Sequence, residues 1–245
     1  MELDKRLVQK VASYTPSRQA LEQIKQVPLL FTVGITAAGK DTLLNHLLQK
    51  YPGEYMTLVS HTTRAPRANH GVMERDGVEY HFVDPAAIDR LLDDQAFIEA
   101  QVIHNTSVYA SSIAEVQKAQ QQHRILVSDI DVQGIDVYVR LGLNVKPVFI
   151  LPPSYDVWME RLMQRYEGQP HQHDLVLRMQ SAVREIDHAL AADHFYIVVN
   201  DDLDDAVEVV NDIAHGEPVD PHYHKAMAVA EQLVNRIREE LAKMV

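Results

Sequence analysis

The nine residues Gly34-Ile35-Thr36-Ala37-Ala38-Gly39-Lys40-Asp41-Thr42 constrain the fold more than any other stretch of the chain. An apolar run, Leu29 to Val33, leads into them, and a helical pattern, Leu43-Leu44-Asn45-His46-Leu47-Leu48, leads out. Strand, glycine loop, lysine and helix is the order in which backbone N–H groups and a helix N-terminus surround a polyphosphate. The glycines let the backbone curl close to such an anion, and Lys40 can reach its terminal phosphates. The hydroxyl residue expected directly after the lysine is displaced: Asp41 stands there, and Thr42 follows. The same residues also read as a plain glycine-containing turn between strand and helix, so the rest of the chain decides.

From Leu29 onward, apolar runs alternate with amphipathic helical patterns. Strands are expected at Met56 to Ser60, Tyr80 to Val83, Phe97 to Glu99, Ile125 to Asp129, Val145 to Leu151 and Phe195 to Val199. Helices are expected at Ala86 to Leu92, Ser112 to Gln121, Tyr155 to Tyr166, Asp174 to Ala192 and Leu203 to Ala214, with a polar loop at Glu167 to His173. This alternation predicts an α/β fold, a parallel sheet flanked by helices on both faces. Residues 1–28 read as helix, turn, helix, with Thr15-Pro16 as the expected cap and first position of the second helix. After the break at His215-Gly216-Glu217-Pro218, a terminal helix carries Ala230, Leu233, Ile237, Leu241 and Met244 at three-four spacing. That stripe suits docking on the core, or a homodimer through the terminal helices.

A formal charge of −12 disfavours a nucleic-acid-binding surface, so a bound anion would need its own local Lys/Arg cluster. The absence of cysteine excludes disulfides and thiolate metal sites. The stretch around Val27 to Ala38 is too short to span a bilayer, which takes about 20 residues. Met1 to Arg6 lacks the apolar core of a signal peptide, so a cytoplasmic protein with no membrane partner is expected.

Three further clusters carry chemistry. Ser60-His61-Thr62-Thr63-Arg64-Ala65-Pro66-Arg67 places two arginines among hydroxyls, and a guanidinium fork matches an oxyanion; a solvated basic turn is the alternative. Asp129 and Asp131 follow a buried strand, where open parallel sheets bind ligands; they suit magnesium, substrate donors or helix capping. Arg161, Arg165 and Arg178 flank the Glu167 to His173 loop and could close over phosphates, or could lie on solvated helix faces.

Five phrases in order resemble a guanylate kinase over about Leu29 to Ala214. They are the glycine loop, Val-Ser-His-Thr-Thr-Arg-Ala-Pro-Arg at Val59 to Arg67, Asp-Ile-Asp-Val-Gln-Gly at Asp129 to Gly134, Phe-Ile-Leu-Pro-Pro-Ser at Phe149 to Ser154, and Val-Asn-Asp-Asp at Val199 to Asp202. The resemblance implies a P-loop core at 29–59 and 122–214, a small inserted GMP-binding subdomain at 60–121 and a helical lid at about 161–178. Residues 1–28 and 215–245 would be helical extensions of this 29–214 domain. It implies ATP and GMP as small-molecule partners, Mg2+ accompanying ATP, and domain closure that excludes water during transfer.

By position, the resemblance assigns Gly34, Thr36, Ala37, Ala38, Gly39, Lys40, Asp41 and Thr42 to ATP, and Lys40, Arg161, Arg165 and Arg178 to catalysis by charge. Ser60, Arg64, Arg67, Tyr80 and Tyr109 would hold the GMP phosphate. Glu99, Ser111 and Asp129 would read the guanine, with Asp131 nearby. A carboxylate there can accept from both N1–H and the 2-amino group of guanine, donors that adenine lacks.

The chain departs from the family in places. Ala37 replaces a loop glycine, which strains or reshapes the loop if that position needs positive φ. Val108-Tyr109-Ala110 replaces Tyr-Tyr-Gly, Gln164-Arg165-Tyr166 replaces Gly-Arg-Gly, and the stretch from Arg67 to Tyr80 is longer than usual. Asp41 in place of a hydroxyl needs a cation between it and the β-phosphate, so Asp41, with Asp129 through water, is an expected magnesium ligand. Gly-Lys-Asp followed by a hydroxyl also resembles ribose 1,5-bisphosphate phosphokinase, and a catalytically silent guanylate kinase-like binding module is a third alternative.

Overall fold

The computed structural model describes residues 3–69, 71–103, 105–166 and 171–244. Its elements begin with α1 (Lys5–Ala12), α2 (Arg18–Ile24), β1 (Leu29–Val33), α3 (Lys40–Lys50) and β2 (Tyr55–Thr57). Four two-residue strands follow: β3 (His61–Thr62), β4 (Ala68–Asn69), β5 (Val72–Met73) and β6 (His81–Phe82). Next come α4 (Pro85–Asp93), β7 (Phe97–Ile103), β8 (Ser107–Ser112), α5 (Ile113–Gln121), β9 (Ile125–Asp129), α6 (Val132–Arg140) and β10 (Val145–Leu151). The chain closes with α7 (Tyr155–Arg165), α8 (Gln172–Ala191), β11 (Tyr196–Val199), α9 (Leu203–His215) and α10 (Asp220–Met244). It forms two compact units: Met1–Val27, Met56–Leu126 and Arg140–Asn144 make one, and Pro28–Tyr55, Val127–Val139 and Val145–Val245 the other.

The larger unit is built on a five-stranded sheet in the order β11-β10-β1-β9-β2. β1 pairs parallel with β10, Leu29 facing Val145, and β10 pairs parallel with β11. Every residue of β1 is buried, as is the Pro147 to Leu151 stretch of β10, because helices cover such strands on both faces. Parallel strands end at one edge, so the loop after β1 and Asn200 after β11 share the crevice where open sheets take ligands. α10 docks on this unit: Ala226, Ala230, Leu233, Val234 and Ile237 are buried, and Arg238 grips both carboxylate oxygens of Asp187 on α8 at 2.6 Å. The apolar stripe considered as a dimer seam is thus turned mainly onto its own unit. No described helix is long and apolar enough to cross a membrane.

The smaller unit has a sheet of its own. Its four strands, ordered β6-β3-β8-β7, are mixed: β3 runs parallel to β6, while β3–β8 and β7–β8 are antiparallel. β7 reaches Ile103 rather than stopping at Glu99, and β8 and the β4–β5 hairpin are elements the sequence pattern did not separate. The two-residue strands of that hairpin have no periodicity to read.

The N-terminal helices belong to this smaller unit. Leu7 and Val11 of α1 share a core with Ile88, Leu92, Phe97, Val108 and Ala110. Lys10 donates to the Asp89 carbonyl at 2.7 Å and sits 2.8 Å from the Asp93 carboxylate, pinning α1 to α4. Ser17, not Thr15, caps α2, its hydroxyl accepting from Ala20 N–H; Pro16 falls just before that cap. The loop expected at Glu167 to His173 lies, in its first four positions, outside the described residues.

Candidate active site

The larger unit carries the glycine loop between β1 and α3. Gly34 has φ 138°, and a Cβ there would stand 2.3 Å from the Ile150 carbonyl oxygen, so the loop leaves the sheet where only glycine fits. Gly39, at φ 93°, would place a Cβ 2.3 Å from the Asn200 amide nitrogen. Ala37 adopts φ 65°: the glycine conformation is kept without the glycine. Such a residue is strained, at about 1–2 kcal/mol for an L side chain. Props from outside the loop hold it. Trp158 donates its indole N–H to the Thr36 carbonyl at 2.8 Å, and Asn200 donates its amide to the Ala38 carbonyl at 2.9 Å.

These residues face a cavity of about 420 Å³ lined by Ala37, Gly39, Lys40, Asp41, Thr42, Arg161, Arg165 and Asn200, among others. Lys40 donates to the Gly34 carbonyl at 2.7 Å and lies 4.0 Å from the Asp129 carboxylate. The Asp129 side chain keeps 36% of its surface open to solvent, which tempers its loss of hydration. Crowding by protein nevertheless pushes its pKa up to about 7; Lys40 and Arg165 oppose that shift, and Asp41 and Glu185 add to it. Asp131 accepts from Gly134 N–H at 2.6 Å, so one of its oxygens caps α6.

Arg161 donates to the Asn200 carbonyl at 3.1 Å, while Arg165 and Arg178 are exposed. Arg178 reaches the Thr36 hydroxyl at 3.5 Å and donates from Nε to the Tyr166 hydroxyl at 3.2 Å. Lys40, Arg161, Arg165 and the loop therefore line one cavity, and Arg178 reaches the loop at Thr36. Among the described residues no three His, Asp or Glu side chains converge as a metal cage. The oxygens of Asp41 and Asp129 offer the hard donors that suit a magnesium ion held chiefly by phosphates.

The smaller unit gathers the other set. Arg64 donates from Nε to the Tyr109 hydroxyl at 2.9 Å, and its guanidinium lies 5.2 Å from the centre of the Tyr80 ring. Both terminal nitrogens of Arg64 bind the Glu74 carboxylate, at 2.8 and 3.0 Å, with only 9% and 16% of the two side chains exposed. Glu74 also accepts from Arg67 N–H at 2.8 Å. These bonds, those from Arg64 foremost, hold the Glu74 carboxyl below the usual carboxylate range. Ser60 precedes β3, its carbonyl accepting from His81 N–H at 2.9 Å, and the Arg67 side chain is exposed.

Glu99 and Ser111 face each other across β7 and β8, the serine hydroxyl donating to the carboxylate at 2.7 Å. A bulge aims Glu99. Phe97 pairs with Ser112 and Glu99 with Ser111, so Ile98 is the extra residue and the alternation of faces shifts there. Tyr109 and Ser111 lie two apart on β8 and so share a face, with Cα atoms about 7 Å apart along the strand. The Arg64–Tyr109 pair and the Glu99 carboxylate are thus set side by side.

Two residues of these clusters escaped sequence reading as site residues. Asn200 sits within a quoted phrase, at the end of a parallel strand, and its position there was the available signal. Glu74 gave none, since its partners depend on the β4–β5 hairpin.

The Guanylate kinase family model matches residues 26–217. A guanylate kinase of Histophilus somni is 33% identical over 196 residues, covering 80% of this chain and 90% of that protein. One from Cutibacterium acnes is 32% identical over 192 residues, covering 78% and 92%. The crystal structure of a guanylate kinase from Anaplasma phagocytophilum is similar with a TM-score of 0.54 and 26% identity, over 78% of this chain and 85% of that one.

Proposed function

The chain belongs to the guanylate kinase family, and from that premise we propose that it transfers the γ-phosphoryl group of ATP directly to GMP, giving ADP and GDP. An oxygen of the GMP phosphate bonds to the γ-phosphorus as the bond from that phosphorus to the ADP oxygen breaks, with no covalent protein intermediate. The loop amides and Lys40 hold the donor phosphates, and Arg161, Arg165 and Arg178 offset charge that spreads over the transferring group. Asp41 and Asp129 would hold Mg2+, which supplies further neutralisation of the phosphates. Arg64, Arg67, Tyr80, Tyr109 and Ser60 would bind the acceptor phosphate, and Glu99 with Ser111 would accept from the guanine N1–H and 2-amino group.

The observation that carries this reading is the meeting of Glu99 with Ser111 on β7 and β8, beside the cluster that Tyr109 of β8 makes with Arg64 and Tyr80. A base with donors and a phosphate is the ligand that uses both. The test is a coupled assay of purified protein against each nucleoside monophosphate and ribose 1,5-bisphosphate. GMP is expected to be the preferred acceptor; phosphorylation of the sugar bisphosphate with GMP ignored would refute the reading. Calorimetry showing no magnesium-dependent ATP binding would instead leave a silent binding module.

A further inference from the structure

The bulge that aims Glu99 lies on an edge strand, since β7 ends the order β6-β3-β8-β7. Edge-strand residues turn backbone groups outward that need partners. At Phe97 a single side chain supplies both. The Tyr14 hydroxyl donates to the Phe97 carbonyl at 2.7 Å and accepts from the Phe97 N–H at 3.0 Å. Its ring meets the Phe97 ring edge to face at 6.4 Å, and burial raises the phenol's pKa, so it keeps the proton it donates. Tyr14 itself is fixed at the end of α1, its N–H donating to the Val11 carbonyl at 3.1 Å. All of this segment lies before residue 26, outside the stretch the family model matches.

We propose that Tyr14 is a positioning residue for acceptor selection: its hydroxyl fixes the Phe97–Glu99 bulge and so sets the Glu99 carboxylate against the guanine edge. The N-terminal helix is then part of the acceptor site without touching the acceptor. The inference rests on the reading that Glu99 and Ser111 contact the base. Its signature is selectivity. Inosine monophosphate keeps the N1–H but lacks the 2-amino group, so a well-aimed carboxylate prefers GMP, and a misaligned one loses part of that preference.

The experiment compares the full-length wild type with Tyr14→Phe, Glu99→Gln and Lys10→Ala in steady-state assays with GMP, inosine monophosphate and ATP. Tyr14→Phe is expected to raise KM for GMP about tenfold and to lower the GMP preference, with KM for ATP unchanged. Amide exchange at Phe97 to Glu99 should quicken in the same variant. Lys10→Ala loosens α1 but leaves the hydroxyl, so its GMP preference should follow amide exchange at Phe97, unchanged where that exchange is unchanged and shifted where it quickens, whatever the thermal stability. Tyr14→Phe with wild-type GMP KM and preference overturns the proposal, whatever its melting temperature. If Tyr14→Phe does not fold well enough to assay, the decision passes to Lys10→Ala, where a shifted preference accompanying loosened docking supports the proposal and an exchange rate raised at Phe97 with preference intact overturns it. Failure of Glu99→Gln to alter GMP use would overturn the acceptor reading itself, a result distinct from failure at Tyr14.

Discussion

On the proposed reading the two units solve the same problem, holding a phosphate, with different materials. In the larger unit the loop backbone does the holding. Glycine and alanine conformations shape it, Trp158 and Asn200 brace it through its carbonyls, and Lys40 lies against its start. In the smaller unit side chains would do so. Side chains from β3, β8 and the loops around them meet only because the strands bring them together, and Glu74 ties them. A backbone site is local in sequence and tolerates little change in backbone angle. A side-chain site is dispersed and fails when any one tie is cut.

The largest test of that contrast is at Lys40. Lys40→Met removes the one lysine of the loop and leaves the backbone cradle, so kcat should fall about a thousandfold. KM for GMP should stay near wild type, because the acceptor cluster lies in the other unit. Rapid-quench and steady-state kinetics read this directly. An equal loss in GMP affinity would mean that the halves are not separable.

Glu74→Ala is the counterpart on the side-chain site. Arg64 then loses two hydrogen bonds in a place where it is 9% exposed, and Arg67 N–H loses an acceptor. The guanidinium should wander from the Tyr80 face and KM for GMP rise about tenfold, with kcat changed less. A fall in KM would show that Glu74 competes with the acceptor phosphate for Arg64 rather than orienting it.

The same contrast explains what the sequence revealed. β1, β9 and β10 were legible residue for residue, because each holds a buried apolar run, whole in β1, Leu126-Val127 in β9 and Val148 to Leu151 in β10. The loop and its lysine were legible because their chemistry is contiguous. Ala37 posed its question from sequence, and the answer, φ 65°, needed coordinates. The residues proposed for the acceptor were named through resemblance, phrase by phrase, but their supports were not legible. Tyr14 and Phe97 are 83 residues apart, and the fold alone joins them.

A smaller effect separates the units by pH. His61 on β3 is held neutral: burial foremost, then His81, lowers its pKa to about 4 from 6.5, while Glu115 and Asp76 act the other way. Its Nδ1 is buried without a hydrogen-bond partner, with the His81 and Phe97 rings at 4.6 and 5.4 Å. The unfolded chain takes up a proton as pH falls through 6.5, and the folded one does not until about 4. Stability should therefore drop as pH falls from 6.5 towards 4 and be unaffected above that window. Thermal melts of His61→Gln against wild type should show a flatter acid limb; equally steep limbs would place the acid sensitivity elsewhere.

The smallest effect returns to the backbone site. Ala37→Gly should relieve the left-handed strain, about 1–2 kcal/mol. Glycine's greater freedom in the unfolded chain takes back about 0.4–1 kcal/mol. A net gain of roughly 0.5–1 kcal/mol should raise the melting temperature by about 1–4 °C. Because the loop already holds the glycine-type φ, donor affinity should change little. A melting temperature that falls instead would mean that the Ala37 methyl group contributes packing worth more than the strain. The loop would then depend on a side chain in the way the acceptor site does, and the division between the two halves would be one of degree.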